Sequence, residues 1–443
     1  MIWEPQLETM SRADLAALQL ERLQALVRRV YERVPFYHDR FEEAGVRPEH
    51  IRTLDDLRRL PFTRKSDFRD NYPFGLFAVP LSQVARVHAS SGTTGKPIVV
   101  GYTASDLRVW AAVCARCLAA SGAQPGDIFQ NAYGYGLFTG GLGMHYGAEL
   151  MGLVVLPVSG GNTERQVMLL RDFGPRIIAC TPSYALTLAE ALAAQGIRPG
   201  TLALRYGILG AEPWTEAMRD EIEAKLGIAA LNIYGLSEVI GPGVSNECVE
   251  EKNGAHVFED HFLVEVIDPR TEESLPPGEA GELVFTTLTK EALPVIRYRS
   301  GDIASLDPTP CRCGRTLVRM SRVVGRTDDM LIIRGINVYP SQVEAALVGL
   351  PELSPHYQLV VTRERTLDEL EVKVEVSEGF AKQLGGSFSG EEAPVAELAM
   401  RCQQKLLGVL GITARVTLAP PGTLPRSEGG KLRRVDDRRR VYA

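Results

Sequence analysis

Cysteine is scarce in this 443-residue sequence, with seven residues and therefore an odd number, which argues against a disulfide scaffold and for a reducing compartment. No apolar run approaches the ~18 residues that a membrane-spanning helix needs. The opening MIWEPQLETMSRADL lacks a basic flank followed by an apolar stretch, so no signal peptide is visible. Basic charge is not in surplus either: 49 Lys and Arg face 55 Asp and Glu, a net −6, which gives nucleic acid no electrostatic footing. The local exception is 426–440, with seven basic and three acidic residues. Repeats are absent, and low complexity is confined to the Gly/Ser-rich patch at 385–390. What is present is 45% hydrophobic and 23% charged residues, enough for a large core. At ~150 residues per domain, this length suggests two or three domains. A cytoplasmic enzyme, with neither nucleic acid nor membrane as partner, is the expectation.

Leu15, Leu20, Leu23, Val27, Val30 and Val34 recur at mostly three- to five-residue spacing and predict an amphipathic helix over 12–34. Short apolar runs at 127–131, 153–157, 176–180, 204–209 and 229–233 alternate with helical stretches, which predicts α/β units with parallel strands. Pro182 and Pro213 read as helix starts. Beyond about 255 the pattern turns β-rich, with Pro-Gly turns such as Pro277-Gly278, and suggests a separate β subdomain. A β-α-β-β-α-β order follows residue 328.

The densest motif is HASSGTTGKP at 88–97. Its glycines let backbone N–H groups close on an anion, and its hydroxyls add donors. Strand-like residues lie on both sides, and Ser90 and Pro97 break the Walker pattern. A phosphate loop is favoured over a polar hairpin. NIYGLSE at 232–238 follows a buried strand, where Glu238 could hold a nucleotide-bound metal or simply begin a helix. The carboxylate of Asp302 in YRSGD could take ribose hydroxyls; GRTDD at 325–329 reads as a hinge or charged linker. RSEGGK at 426–431 is either a solvated basic tail or the carrier of a mobile cation, Lys431. Tyr133, Tyr135 and Phe138, in a Gly-rich loop with Gly140, suit a flat aryl ring or ordinary core packing. Cys248, His256, Cys311 and Cys313 could form a Cys₃His structural zinc site or be merely reduced thiols. Cys114 and Cys117, in an Ala-rich helical stretch, read as small core residues.

In this order these stretches resemble the acyl-adenylate-forming (ANL) superfamily and, within it, the phenylacetate-CoA ligases, over essentially the whole chain. The resemblance also rests on NAYGYGLFTGG at 131–141, GAEPW at 210–214, HVFEDHF at 256–262, GELVFTTLTKEALPVIRYRSGD at 281–302 and GRTDDMLIIRGINVYPSQVE at 325–344. It implies an α/β fold: a large N-terminal adenylation domain (1–327, parallel α/β sheets with a β subdomain near 255–327) and a small mobile α+β C-terminal lid (328–443). The implied activity is ATP-dependent joining of an aryl acid, phenylacetate first among them, to CoA through an acyl-adenylate. Other acids (hydroxyphenylacetate, benzoate, indoleacetate), a non-CoA acceptor, or a silent nucleotide- or zinc-binding relative are the alternatives.

By the same resemblance, Ser90, Ser91, Gly92, Thr93, Thr94, Gly95 and Lys96 hold the phosphates of ATP. Gly210, Ala211, Glu212, Asn232, Ile233, Tyr234, Gly235 and Ser237 belong to the ATP site, and Asp302 and Arg326 hold the ribose. Glu238 would bind Mg²⁺, Asp328 would be the hinge, and Tyr135, Phe138 and Gly140 would line the acyl pocket. Lys431 would be the adenylation lysine, although Gly429-Gly430 precedes it where the family has one Gly. A homodimer is implied by analogy.

Overall fold

The polar segment after His88 is flanked by two antiparallel strands, β1 (Arg86–Ala89) and β2 (Val99–Tyr102), as its strand-like borders predict. The computed structural model describes residues 1–89, 97–327, 331–334, 336–347, 350–364, 367–384, 392–426 and 434–439. Ser90 to Lys96, Asp328 and Lys431 lie outside the described residues.

The five apolar runs become β3 (Ile128–Asn131), β4 (Val154–Leu156), β5 (Ile177–Cys180), β6 (Tyr206–Gly210) and β7 (Ala229–Leu236), all parallel, in the order β7-β6-β5-β3-β4. Helices Ala104–Ala120, Thr139–Met151, Thr163–Asp172, Pro182–Ala194 and Glu216–Leu226 alternate with them. Every residue of β5 is buried, as a strand covered on both faces requires. The first two of these helices pack closely because Gly143 and Gly147 face Trp110 and Cys114; a Cβ there would fall within 2.6 and 2.4 Å of them. Cys114 and Cys117 are both fully buried core residues.

Pro182 opens its helix, capped by the Thr181 hydroxyl. Pro213 does not: the following helix begins at Glu216, because Thr215 accepts from the Met218 N–H at 3.2 Å and caps it there. Strand β7 also outruns its expected end. β8 (Gly241–Asn246) folds back along it, pairing Ile233 with Asn246 and Leu236 with Gly241.

The β-rich segment divides. β10 (Phe262–Ile267), β11 (Gly281–Thr287), β12 (Tyr298–Ala304) and β15 (Gly325–Arg326) form a four-stranded antiparallel sheet. β9 (Ala255–Val257), β13 (Leu306–Asp307) and β14 (Arg319–Met320) instead extend the large sheet to nine strands, since β9 pairs with β8. The subdomain is therefore less separate than the composition suggests.

After residue 330 come the hairpin β16 (Leu331–Ile333) and β17 (Ile336–Val338), helix Pro340–Leu347, and strands β18 (Leu353–Glu364) and β19 (Leu367–Val376). Helices Glu378–Gln383 and Ala393–Leu410, β20 (Arg415–Ala419) and β21 (Val435–Asp437) complete the order. Thus β17, a short helix and β21 add to the expected pattern. This region has its own hydrophobic core, from Leu331 to Leu418, apart from the main core that reaches Met320.

Buried ion pairs tie distant parts of the large domain together. Arg116 grips Asp260 through two hydrogen bonds of 2.7 and 3.0 Å, both side chains fully buried. Burial alone would raise the Asp260 carboxyl, but His261, Arg116 and Arg22 outweigh it and pull it down to about 2. Arg315 and Glu8 meet at 2.6 Å with both side chains buried, and Arg219 is bidentate on Glu247 at 2.8 Å.

Candidate functional site

The carboxyl ends of β6 and β7 lie side by side because their register pairs Gly210 with Ile233 and Leu209 with Asn232. The GAEPW and NIYGLSE motifs thereby form one wall at the end of a parallel sheet, where open α/β folds bind ligands. Gly210 is required there: a Cβ would stand 2.2 Å from the Ile233 carbonyl oxygen. Ala211 then takes a left-handed φ of 70°. Glu212 accepts from the Ser183 N–H at 2.7 Å, while its other oxygen is shut from solvent without a partner. Burial raises the Glu212 carboxyl, and Arg434 is the main group opposing that rise. Trp214 Nε1 donates to Asn232 Oδ1 at 2.9 Å and fixes that side chain.

Across from this wall, the antiparallel pairing of β12 and β15 sets Asp302 opposite Arg326. Tyr234 donates to Asp302 Oδ2 at 2.6 Å, and Arg326 bonds the other carboxylate oxygen. Tyr234 also stacks on Phe285, with ring centroids 5.8 Å apart. The structure therefore joins Gly210, Ala211, Glu212, Asn232, Ile233, Tyr234, Gly235, Asp302 and Arg326 into one continuous surface.

Ser237 and Glu238 are nearly buried just beyond β7, and Ser237 Oγ is 3.2 Å from Thr139 Oγ1. Tyr298 lies beside Glu238, its hydroxyl raised far by burial and by that carboxylate. The sequence reading missed Lys290, although it lies inside the GELVFTTLTKEALPVIRYRSGD stretch. Its ammonium is buried without a hydrogen-bond partner, 4.6 Å over the Tyr102 ring. Burial pulls it down to about 8 against the pull of Asp106 and Glu238. Asp106 holds this loop by accepting from the Glu291 and Ala292 N–H groups at 2.6 and 2.9 Å.

The aryl-pocket candidates adjoin the β1–β2 hairpin. The Leu137 carbonyl accepts from the Ala89 N–H at 3.0 Å and pairs with His88 Nδ1 at 3.0 Å. Asn131 Nδ2 donates to the Tyr135 hydroxyl at 2.8 Å and the Gly141 carbonyl at 2.7 Å, and Tyr135 reaches His145 Nδ1 at 3.1 Å. Phe138 is exposed and covers Gly140, where a Cβ would lie 2.6 Å from its ring. Tyr133 is core.

Cys248, His256, Cys311 and Cys313 converge, their ligand atoms all within 4.8 Å of one another. Cys248 and Cys311 sulfurs are 3.6 Å apart, and Cys313 Sγ is 3.4 Å from His256 Nε2. A tetrahedral zinc ion with ordinary bond lengths sets such atoms about 3.5–3.8 Å apart.

Three arginines of the basic tail are paired rather than free in solvent. Among its described residues, Arg426 is bidentate on Glu375 at 2.9 and 2.7 Å, Arg434 meets Glu344 at 2.5 Å, and Arg439 meets Asp368 at 2.8 Å. Glu375, Glu344 and Asp368 lie far off in sequence, whereas Arg439 also holds Asp437 and Arg438 holds Asp436, each two residues away.

The AMP-binding enzyme family matches residues 22–288, and the AMP-binding enzyme C-terminal domain matches 335–439. The chain is 61% identical to the phenylacetate-coenzyme A ligase of Thermus thermophilus, covering 99% of this chain and 100% of that protein. It is 52% identical to the phenylacetate-coenzyme A ligase of Escherichia coli K12, over 98% and 97% of the two chains. Among solved structures, 2-hydroxyisobutyryl-CoA ligase in the postadenylation state with an acyl-AMP bound superposes with a TM-score of 0.91 at 31% identity, covering 99% and 92%. The same ligase in its thioesterification state, with CoA, gives 0.73 at 32% identity, covering 100% and 93%.

Proposed function

The chain belongs to the phenylacetate-coenzyme A ligase family of AMP-binding enzymes, and on that premise we propose that it activates phenylacetate with ATP and passes the acyl group to CoA. In the first step an acid carboxylate oxygen attacks the α-phosphorus of ATP and pyrophosphate leaves. In the second, the CoA sulfur attacks the acyl carbon, its proton is lost, and AMP leaves with the electron pair. The observation that carries the reading is the wall formed by Gly210–Glu212 and Asn232–Gly235 facing an Asp302 held between Tyr234 and Arg326.

In this reading the β6–β7 wall frames adenine, and the Asp302 carboxylate takes the ribose hydroxyls. Ser90 to Lys96 hold the phosphates from the β1–β2 hairpin, and Lys431 bridges the carboxylate and α-phosphate. Nearly buried Glu238 suits a Mg²⁺ ligand; the ion would offset phosphate charge as the anionic acid approaches. Tyr135 and Phe138 face the aryl ring, and Asp328 is the hinge between domains 1–327 and 328–443, whose separate cores support that division. The higher similarity to the postadenylation state supports an adenylation-side domain arrangement.

Zinc at Cys248, His256, Cys311 and Cys313 fits the spacing of the four donors and would staple the loop before β14 to β9. Metal analysis should find about one zinc per chain, removable only with loss of stability; purified protein without it would rule the site out. The seven cysteines are not joined in disulfides, which supports a reducing, cytoplasmic setting; among the described residues, no helix is long and apolar enough to cross a membrane. Leu150 and Val154 are exposed at the open edge strand β4 and support a homodimer, which light scattering would test.

The decisive test is acid-dependent exchange of labelled pyrophosphate into ATP over a panel of aryl and alkyl acids, followed by thioester detection with CoA. Exchange led by phenylacetate and CoA-dependent AMP release is the expected result. Exchange without thioester would move the acyl group to another acceptor.

A further inference from the structure

Arg434 follows Lys431 by three residues and is anchored twice. Its carbonyl accepts from the Leu359 N–H at 2.7 Å, where β21 begins to pair with β18. Its guanidinium meets Glu344 at 2.5 Å and lies 4.6 Å over the Tyr357 ring. Tyr357 donates to the same Glu344 oxygen at 3.1 Å. The two charged side chains are only 12% and 7% exposed.

This cluster lies on the seam with the large domain. The second Glu344 oxygen accepts from Thr215 Oγ1 at 3.4 Å, and Thr215 follows the GAEPW wall directly. On that wall, Glu212 has one oxygen buried without a partner, and Arg434 is the cation whose field most opposes its rise. One guanidinium thus serves a carboxylate in each domain: Glu344 by contact and Glu212 through the field. Without it, the Glu212 and Glu344 carboxylates would repel each other across the seam with no cation between them.

We propose that the Arg434–Glu344 pair braces the Glu344–Thr215 contact that latches the small domain to the adenine wall, and that both are positioning residues for adenylation rather than for thioester formation. The assignment rests on the two-step ligase reading above. Neither side chain touches the reacting atoms. They act by fixing the strand that begins just after the lysine segment and by neutralising the seam in one domain arrangement only. The contact that Glu344 makes across the seam is a single hydrogen bond, braced by an ion pair within the small domain, so it stabilises one orientation without welding the domains together.

The test uses full-length Glu344→Gln, Arg434→Gln, Arg434→Lys and the Gln double variant. Each preparation is assayed for phenylacetate-dependent pyrophosphate exchange and, separately, for thioester formation from supplied phenylacetyl-adenylate and CoA. The ratio of the two rates is the readout, because the fraction of folded protein cancels from it. Each Gln variant should lower the ratio about tenfold or more, the double variant should fall little beyond the worse single one, and Arg434→Lys should recover part of the loss. A ratio within about twofold of wild type in both single variants, or a larger loss in thioester formation, would overturn the latch. Wild type run alongside separates the two failures: a wild type silent with phenylacetate overturns the ligase reading and the latch with it. An active wild type with an unchanged ratio overturns the latch alone.

Discussion

The two halves of the nucleotide site are held by different forces. On the large-domain side, side chains inherit their places from strand register: Gly210 beside Ile233, Asp302 opposite Arg326. Moving any one of them means breaking a sheet. On the small-domain side, the described contacts across the seam are made by side chains, Glu344 with Thr215 and His356 with Glu190 at 3.5 Å. Such contacts can separate without unfolding either core. A fixed floor and a detachable roof are what a two-step reaction on one nucleotide needs.

The largest effect should come from the roof. Lys431→Ala should slow pyrophosphate exchange by about 10²–10³-fold while sparing thioester formation from supplied adenylate. Equal loss in both half-reactions would mean that the lysine serves the whole site. Gly210→Ala attacks the floor, since its Cβ would meet the Ile233 carbonyl at 2.2 Å. A loss of about 1–3 kcal/mol in unfolding free energy is expected, with both half-reactions impaired together. Asp302→Asn should raise the KM for ATP about tenfold and leave the melting temperature less affected; an unchanged KM would remove Asp302 from the ribose.

The smallest effect is electrostatic and belongs to the floor's foundations. His261 is held down to about 4 by burial, which outweighs the raising effect of Asp260, and Asp260 itself lies at about 2. Both folded values are below the unfolded ones of ~6.5 and ~3.9, so the unfolded chain binds more protons. Stability should therefore fall as pH drops from about 6.5 to 4 with His261, and from about 4 to 2 with Asp260. Urea midpoints measured across that range would check the sign, and a midpoint rising on acidification would refute it.

The same contrast explains what was legible in the sequence. Parallel strands announce themselves because burial on both faces demands continuous apolar runs, as at 177–180. The wall residues follow, since they terminate those runs. The β7 end was misjudged because Tyr234-Gly235 reads as a turn, whereas β8 returns to pair with it. The pairing of the tail's arginines is hidden for a different reason. Arg426 and Arg434 find their carboxylates 51 and 90 residues away, and no local pattern encodes so remote a partner. Lys290 is hidden by an ordinary polar context, its loop being held by Asp106 from another element. Ser90 to Lys96, Asp328 and Lys431 rest on the motif resemblance.

The buried pair between Glu8 and Arg315 spans 307 positions of the chain. On a ribosome adding about 5–20 residues per second, Glu8 waits roughly 15–60 s for its partner to be made. Helix Arg12–Arg33 waits somewhat less, because Arg12 is held by Glu259, 247 positions on, and Gln19 by the Glu259 carbonyl, 240 positions on. During the interval Leu15, Leu23 and Val27, fully buried in the finished fold, have no completed core to enter. This helix is thus made well before the residues that lock it, and it is a segment of the nascent chain that needs shelter.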